Sequence, residues 1–151
     1  MRAVVTRVSS ASVETGGNVT GKIGKGFLVL LGIKTGDAEN DAVKLAAKVC
    51  ALRVFADDAG KMNLDLKAAG GGILVISQFT LYADCRSRRP GFTAAARPES
   101  ALPLYELFIA ECRKAGFTVE TGVFGAMMDV ISVNDGPVTI LLDTENAFHG
   151  E

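Results

Sequence analysis

The chain has 151 residues, 48% of them hydrophobic and 22% charged, with a formal net charge of −1. That length fits one domain with a buried core, and the near-neutral balance excludes a global field drawing it to nucleic acid or membrane, so a polyanionic partner must be met by a local basic patch. The opening MRAVVTRVSS carries Arg7 and does not read as a secretory signal. The aliphatic run 27–33 is too short to span a bilayer. Cys50, Cys85 and Cys112 are odd in number and widely spaced, which argues against a disulfide framework and fits a cytoplasmic protein.

Residues 1–13, rich in Val, Ser and Thr without a helical stripe, predict a strand. Glu-Thr-Gly-Gly-Asn at 14–18 is a turn, and 19–23 return as a hairpin partner. After Gly24-Lys25-Gly26, the apolar run 27–33 predicts a buried strand. Residues 35–40 carry helix-start signals with Asp37 as N-cap, and Ala42, Leu45, Ala46, Val49 and Leu52 form one apolar stripe. Residues 57–60 are a turn, 68–72 a glycine-rich loop, and 73–77 a short buried strand. The aperiodic stretch 86–97 predicts a long functional loop.

Ser100 is placed to cap a second helix with Pro103 in its first turn. Leu104, Leu107, Phe108, Cys112 and Ala115 make its stripe and Gly116 ends it. Three strands follow, at 118–121, 126–133 and 138–143. No linker or repeat divides the chain, so residues 1–151 read as a single α+β domain: a mostly antiparallel, barrel-like sheet with two main helices.

Elimination narrows the chemistry. The only histidine is His149, close to the end, so a Ser-His-Asp or Cys-His arrangement would need the tail to fold into the site, and a solvent-exposed tail is the plainer reading. One His and three scattered Cys give no zinc spacing, and no metal or cofactor is expected. Residues 16–22 approach a phosphate-cradling P-loop, but Ile23 stands where a magnesium-binding Ser or Thr belongs, and the segment reads as a hairpin turn.

Three stretches stand out. At Ser77-Gln78-Phe79-Thr80-Leu81 a buried strand runs into a hydroxyl, an amide, an aromatic ring and a second hydroxyl; a strand end facing solvent would read the same. Asn134-Asp135-Gly136-Pro137-Val138-Thr139 has the chemistry of a plain turn. Arg86, Arg88 and Arg89 place three arginines within four residues of a loop, fit either to clamp phosphates or to sit solvated. On its strand Arg7 shares parity with Ala3, Val5 and Ala11, which points it inward, with a surface position on an edge strand as the alternative. Phe124 reads as core.

Taken together, SQFTL, the following YADCRSRRPGF, GVFGAMMDV at 122–130 and NDGPVT resemble, in order and spacing, the D-aminoacyl-tRNA deacylase family, as do MRAVVTRVSSASV and GKMNL. The resemblance spans essentially the whole chain. Gly91 departs from it, standing after Pro90 where the family usually carries Ser. The resemblance implies a homodimeric ester hydrolase acting on the 3′ end of aminoacyl-tRNA, each active site lying at the dimer interface. Ser77, Gln78, Phe79 and Thr80 would form the catalytic floor, with backbone N–H groups near Phe79 and Thr80 and the RNA 2′-hydroxyl doing the chemistry. A covalent Thr80 nucleophile is the rival mechanism.

The resemblance also implies that Gly136 and Pro137, with Asn134 and Arg7 beside them, reject L-amino acids across the interface through a cis Gly-Pro bond. The residues themselves do not call for cis, since only about 5–6% of X-Pro bonds in folded proteins adopt it. Arg86, Arg88 and Arg89 would meet RNA. Glycine, being achiral, is a further substrate of the family when attached to tRNA for alanine. Two alternatives compete: a non-catalytic RNA-binding module, and a related deacylase acting on misplaced L-amino acids.

Overall fold

The computed structural model describes residues 1–146. Its spine is β1 (Arg2–Thr15), and β8 (Asp129–Asp143) runs antiparallel along one edge of it. The other edge is shared: β3 (Gly26–Gly32) pairs with residues 2–8 and β2 (Asn18–Ile23) with residues 11–15, both antiparallel. From β3 the sheet continues in parallel to β6 (Gly72–Ser77), and from β6 in parallel to β7 (Val119–Thr121). The sheet is therefore mixed, with three antiparallel pairings, the majority that the sequence reading expects, and two parallel ones that it does not foresee. Its two parallel steps are spanned by helical crossovers, α1 (Glu39–Cys50) and α2 (Pro98–Lys114), as parallel neighbours require. A small hairpin, β4 (Phe55–Ala56) with β5 (Met62–Leu64), follows α1.

The sheet curls almost into a barrel, and glycine makes the seam. Gly21 of β2 packs against β7 so closely that a Cβ there would stand 2.5 Å from the Thr121 carbonyl oxygen. Alternation then divides the apolar residues into two cores. Phe27, Val29 and Leu31 of β3 and Ile73 and Val75 of β6 face the helices, while Leu28, Leu74 and Ile76 face the barrel interior with Val8, Ala11, Val13 and Ile23. The α1 stripe is buried at Ala42, Leu45, Ala46 and Val49, and α2 buries Leu104, Tyr105, Phe108 and Cys112 among others. Tyr105 donates its hydroxyl to the Val75 carbonyl at 2.9 Å, and burial pushes its phenol up to about 12.

Several local expectations are corrected. Asp37 is not the cap of α1: Ala38 is, and the Asp37 carboxylate is taken by the Met1 amine at 2.8 Å and the Lys34 N–H at 2.6 Å. Leu52 lies beyond the end of α1. Ser100 sits inside α2, whose N-cap is Arg97, because Pro98 with its fixed φ already occupies the first helical position. Pro103 accordingly falls in the second turn. The P-loop-like segment is a hairpin turn with Gly16 and Gly17 at positive φ.

The largest correction concerns 126–133 and 138–143. They are not two strands separated by a turn, since β8 is continuous from Asp129 to Asp143. Its partner β1 holds both halves, with Thr6 opposite Thr139 and Val8 opposite Asn134, so Asp135–Val138 bulges out where only Arg7 faces it. The Gly136–Pro137 bond within this bulge is cis. His149 lies outside the described residues, and no helix of the described residues is long and apolar enough to cross a membrane.

Candidate active site

Where β6 ends, its backbone turns into a 3-10 helix, Phe79–Tyr82. This end is pinned on both sides. The Gln78 N–H donates to the Leu31 carbonyl at 2.8 Å. Arg2 donates to the Leu81 carbonyl at 2.7 Å, pairs with Asp143 at 2.8 Å, and lies 4.7 Å over the Tyr82 ring. A strand leading into so short a helix leaves the first amides unclaimed: among the described residues, no acceptor meets the N–H of Phe79 or of Thr80.

A cleft of about 600 Å³ opens beside this turn. Ser77, Gln78 and Phe79 line it, facing the start of α2 and the 124–128 segment. Phe79 is 56% exposed and meets Phe92 edge-on at 5.2 Å, so two aromatic rings form one rim. Thr80 stands next to the wall and does not line it; its hydroxyl accepts from the Gln78 amide. Phe124 has two roles, packing on Tyr105 at 5.5 Å and walling the cleft, whereas the sequence reading gives it only the first.

Phe92, Met127, Met128 and Arg97 are cleft residues that sequence reasoning missed. Phe92 carried a weak signal as the one aromatic in a polar, aperiodic loop. Met127 carried none, and in this chain it is 92% exposed.

The other group of expected residues gathers elsewhere. Arg7, with 14% of its side chain exposed, donates to the Asp135 carbonyl at 3.0 Å and pairs with the Asp135 carboxylate at 3.1 Å. It also donates to the Val54 carbonyl. Asn134 accepts from the Ser132 hydroxyl at 2.8 Å. Gly136 and Pro137 are exposed, and a Cβ on Gly136 would meet nothing nearer than the Val138 nitrogen at 3.8 Å. None of Arg7, Asn134, Gly136 or Pro137 lines the cleft of its own chain. Around them β8 shows solvent a row of apolar side chains: Val130, Ile131, Val133 and, at 63% exposed, Leu141.

The arginine loop forms a third group, closed by two backbone hydrogen bonds between Asp84 and Gly91 at 2.8 and 3.0 Å. Gly91 has open space around its α-carbon. Arg86 is 91% exposed but is not a free cation, because Asp84 binds its guanidinium, and the same ion pair holds the Asp84 carboxyl below the usual range. Arg88 and Arg89 are exposed. Among the described residues no group of three or more His, Cys, Asp and Glu side chains stands ready to hold a metal ion.

The family model described as D-Tyr-tRNA(Tyr) deacylase matches residues 4–143. A D-aminoacyl-tRNA deacylase of Thermus aquaticus is 59% identical over 145 residues, with 95% of each chain covered. One of Symbiobacterium thermophilum is 56% identical over 149 residues, covering 98% of this chain and 99% of the relative. Among solved structures, the c-Myc DNA Unwinding Element Binding Protein has a TM-score of 0.89 at 39% identity, covering 95% of this chain and 98% of the other. A probable eukaryotic D-amino acid tRNA deacylase shares the fold, with a TM-score of 0.79 at 14% identity over 93% of this chain and 97% of the other.

Proposed function

The chain belongs to the D-Tyr-tRNA(Tyr) deacylase family, and from that premise we propose that it hydrolyses D-aminoacyl-tRNA as a homodimer whose cleft is completed by the second subunit. The observation that carries the catalytic reading is the pair of unclaimed amides at Phe79 and Thr80 beside an apolar cleft. Water adds to the ester carbonyl, and the oxygen that gains charge accepts hydrogen bonds from those amides, donors fixed before the reaction begins. Collapse breaks the bond to the ribose oxygen, which leaves as a hydroxyl with one proton of the water, and the amino acid departs as a carboxylate, the second proton passing to solvent. The neighbouring 2′-hydroxyl of the RNA orients the water. Ser77 and Gln78 shape the floor, and neither Gln78 nor Thr80 has to act as a base.

Selection for the D-configuration falls to Gly136 and Pro137. Rejecting L about ten-thousand-fold takes ~5.5 kcal/mol, which a rigid obstacle supplies better than a preference for D side chains. The bulge at Asp135–Val138 suits that role, since Arg7 fastens its base and Gly136 leaves backbone exposed without a side chain. The exposed apolar row on β8 supports the dimer that would carry this bulge to a partner's cleft. Glycine attached to tRNA for alanine offers the obstacle nothing to strike and is a second substrate.

The test is incubation of purified protein with D-Tyr-tRNA and L-Tyr-tRNA, following release of each amino acid. Release of D alone is expected. Release of neither makes the chain an RNA-binding module, and release of L alone makes it a deacylase of the opposite sense.

A further inference from the structure

A second cavity, about 200 Å³ in volume, adjoins the main cleft, and Ala96 and Arg97 line both. The loop around Ala96 is held by hydrogen bonds from the Thr35 N–H to the Ala94 carbonyl at 3.0 Å and from the Ala96 N–H to the Ile33 carbonyl at 2.9 Å. Lys34, Asp37 and Arg97 give the second cavity three charged residues where the main cleft has Arg97 alone, with Thr35 and Ser100 adding hydroxyls.

Its charges do not cancel to nothing. The Asp37 carboxylate is already engaged by the Met1 amine and the Lys34 N–H. The Lys34 ammonium is held above the ordinary lysine value, chiefly by its hydrogen bond to Glu145, so it stays charged; that pair lies at the surface, where an ion pair contributes little and can be exchanged. Arg97 has no ion-pair partner among the described residues. It is also the only charged residue among those lining the main cleft.

A single-stranded RNA whose terminal nucleoside enters the main cleft must carry its next phosphate out over one rim. Phe79, Phe92, Met127 and Val130 offer a phosphate only apolar surface and Ser77 and Gln78 no charge, which favours the Arg97 side. We infer that the Lys34–Arg97 cavity seats the 5′-phosphate of the terminal nucleotide, the link to the rest of the RNA strand. This subsite rests on the deacylase reading and extends it beyond the reacting nucleoside. A guanidinium meets a phosphate bidentately, with an ammonium alongside as a point charge and the Ser100 hydroxyl within the same cavity.

The experiment compares two small esters that differ only in that phosphate, 3′-O-D-tyrosyl-adenosine and its 5′-monophosphate. With the wild-type chain the phosphorylated ester should have the lower KM, by about tenfold, as expected for a hydrogen bond to a charged group. Arg97→Gln and Lys34→Gln should each collapse that preference toward unity. The ratio of the two KM values is internal to each preparation, so loss of folded protein cannot mimic the effect. A wild-type chain without the preference, or variants that keep it, would overturn the subsite while leaving the deacylase reading intact. Failure of the wild-type chain to cleave either ester or D-Tyr-tRNA would instead remove the deacylase reading, and the subsite with it.

Discussion

Arg7 and Asp135 are joined twice over: the guanidinium meets the Asp135 carbonyl at 3.0 Å and its carboxylate at 3.1 Å. Both bonds sit at the base of the bulge that carries Gly136 and Pro137, and Arg7 is anchored behind by the Val54 carbonyl. Arginine suits this position because its planar fork serves several acceptors at fixed angles, whereas lysine offers a single point of charge. Arg7→Lys should therefore loosen the bulge without emptying the space. The expected result is a fall of about tenfold or more in the ratio of D-Tyr-tRNA to L-Tyr-tRNA hydrolysis, on the order of 1.5–3 kcal/mol for the missing hydrogen bonds to a charged group. An unchanged ratio would reduce Arg7 to a structural strut.

Thr80 is poorly placed to be a nucleophile. Its hydroxyl accepts from the Gln78 amide, which is not a base, and the chain's one histidine lies outside the described residues. A hydroxyl without an activating base is weak at neutral pH. Thr80→Ala should keep substantial turnover, because the amide N–H of residue 80 survives the substitution. Mass spectrometry of the enzyme quenched during turnover should find no acyl group on Thr80; a trapped adduct would establish covalent catalysis.

What was legible in the sequence, and what was not, follows from how far apart the deciding groups lie. The α1 stripe could be read because Ala42, Leu45, Ala46 and Val49 settle their burial by local periodicity. Asp37 misled because its partner, the Met1 amine, lies 36 residues away. Asp135-Gly136-Pro137 has every local mark of a turn, yet β1 reaches past it on both sides and keeps one strand, so long-range pairing overrides turn chemistry. The SQFTL segment was conspicuous because polar groups follow a buried run. Its companions Phe92, Arg97 and Met127 were not, since the cleft exists only once four separate segments have docked.

The seam of the barrel is open to a stability test. Gly21→Ala would place a methyl 2.5 Å from the Thr121 carbonyl oxygen and 3.1 Å from the Leu74 side chain, and backbone cannot yield as a flexible side chain can. Forced overpacking of this kind costs about 1–3 kcal/mol. Urea denaturation should show the midpoint lowered. A midpoint equal to that of the wild type would mean that β2 and β7 separate easily, and that the barrel is less closed than their approach implies.

Asp143 predicts an acid limb. Burial pushes its carboxyl up, but the Glu145 N–H and Arg2 hydrogen bonds, with the charges of Arg2 and the Met1 amine, outweigh burial and leave it lowered. A carboxylate with a depressed folded pKa stabilises the fold above its unfolded value, about 4, and gives that up as pH falls through the folded value. Asp143→Asn should cost about 1–3 kcal/mol at pH 7, and the gap from wild type should hold down to about pH 5 and close below about pH 4. A gap that persists undiminished in acid would assign the loss to packing and not to charge.

The arginine loop separates two roles that its sequence cannot. Arg86, Arg88 and Arg89 look equivalent as letters, but Asp84 already holds the Arg86 guanidinium through both carboxylate oxygens. A phosphate would have to displace that carboxylate, whereas Arg88 and Arg89 are exposed cations with no ion-pair partner among the described residues. Removing one phosphate-binding side chain lowers the slope of log binding constant against log salt by about 1. Replacing Arg88 and Arg89 by Ala should therefore flatten the salt dependence of tRNA binding by about 1 to 2, and Arg86→Ala should leave it nearly unchanged. Arg86→Ala also frees Asp84, so binding weakens through a new negative charge while every phosphate keeps its partner, and Asp84→Asn in that background should restore it. A slope that falls as much for Arg86→Ala as for the other two would show that the phosphate wins the competition with Asp84; no change for any of the three would leave the loop solvated and the RNA elsewhere on the surface.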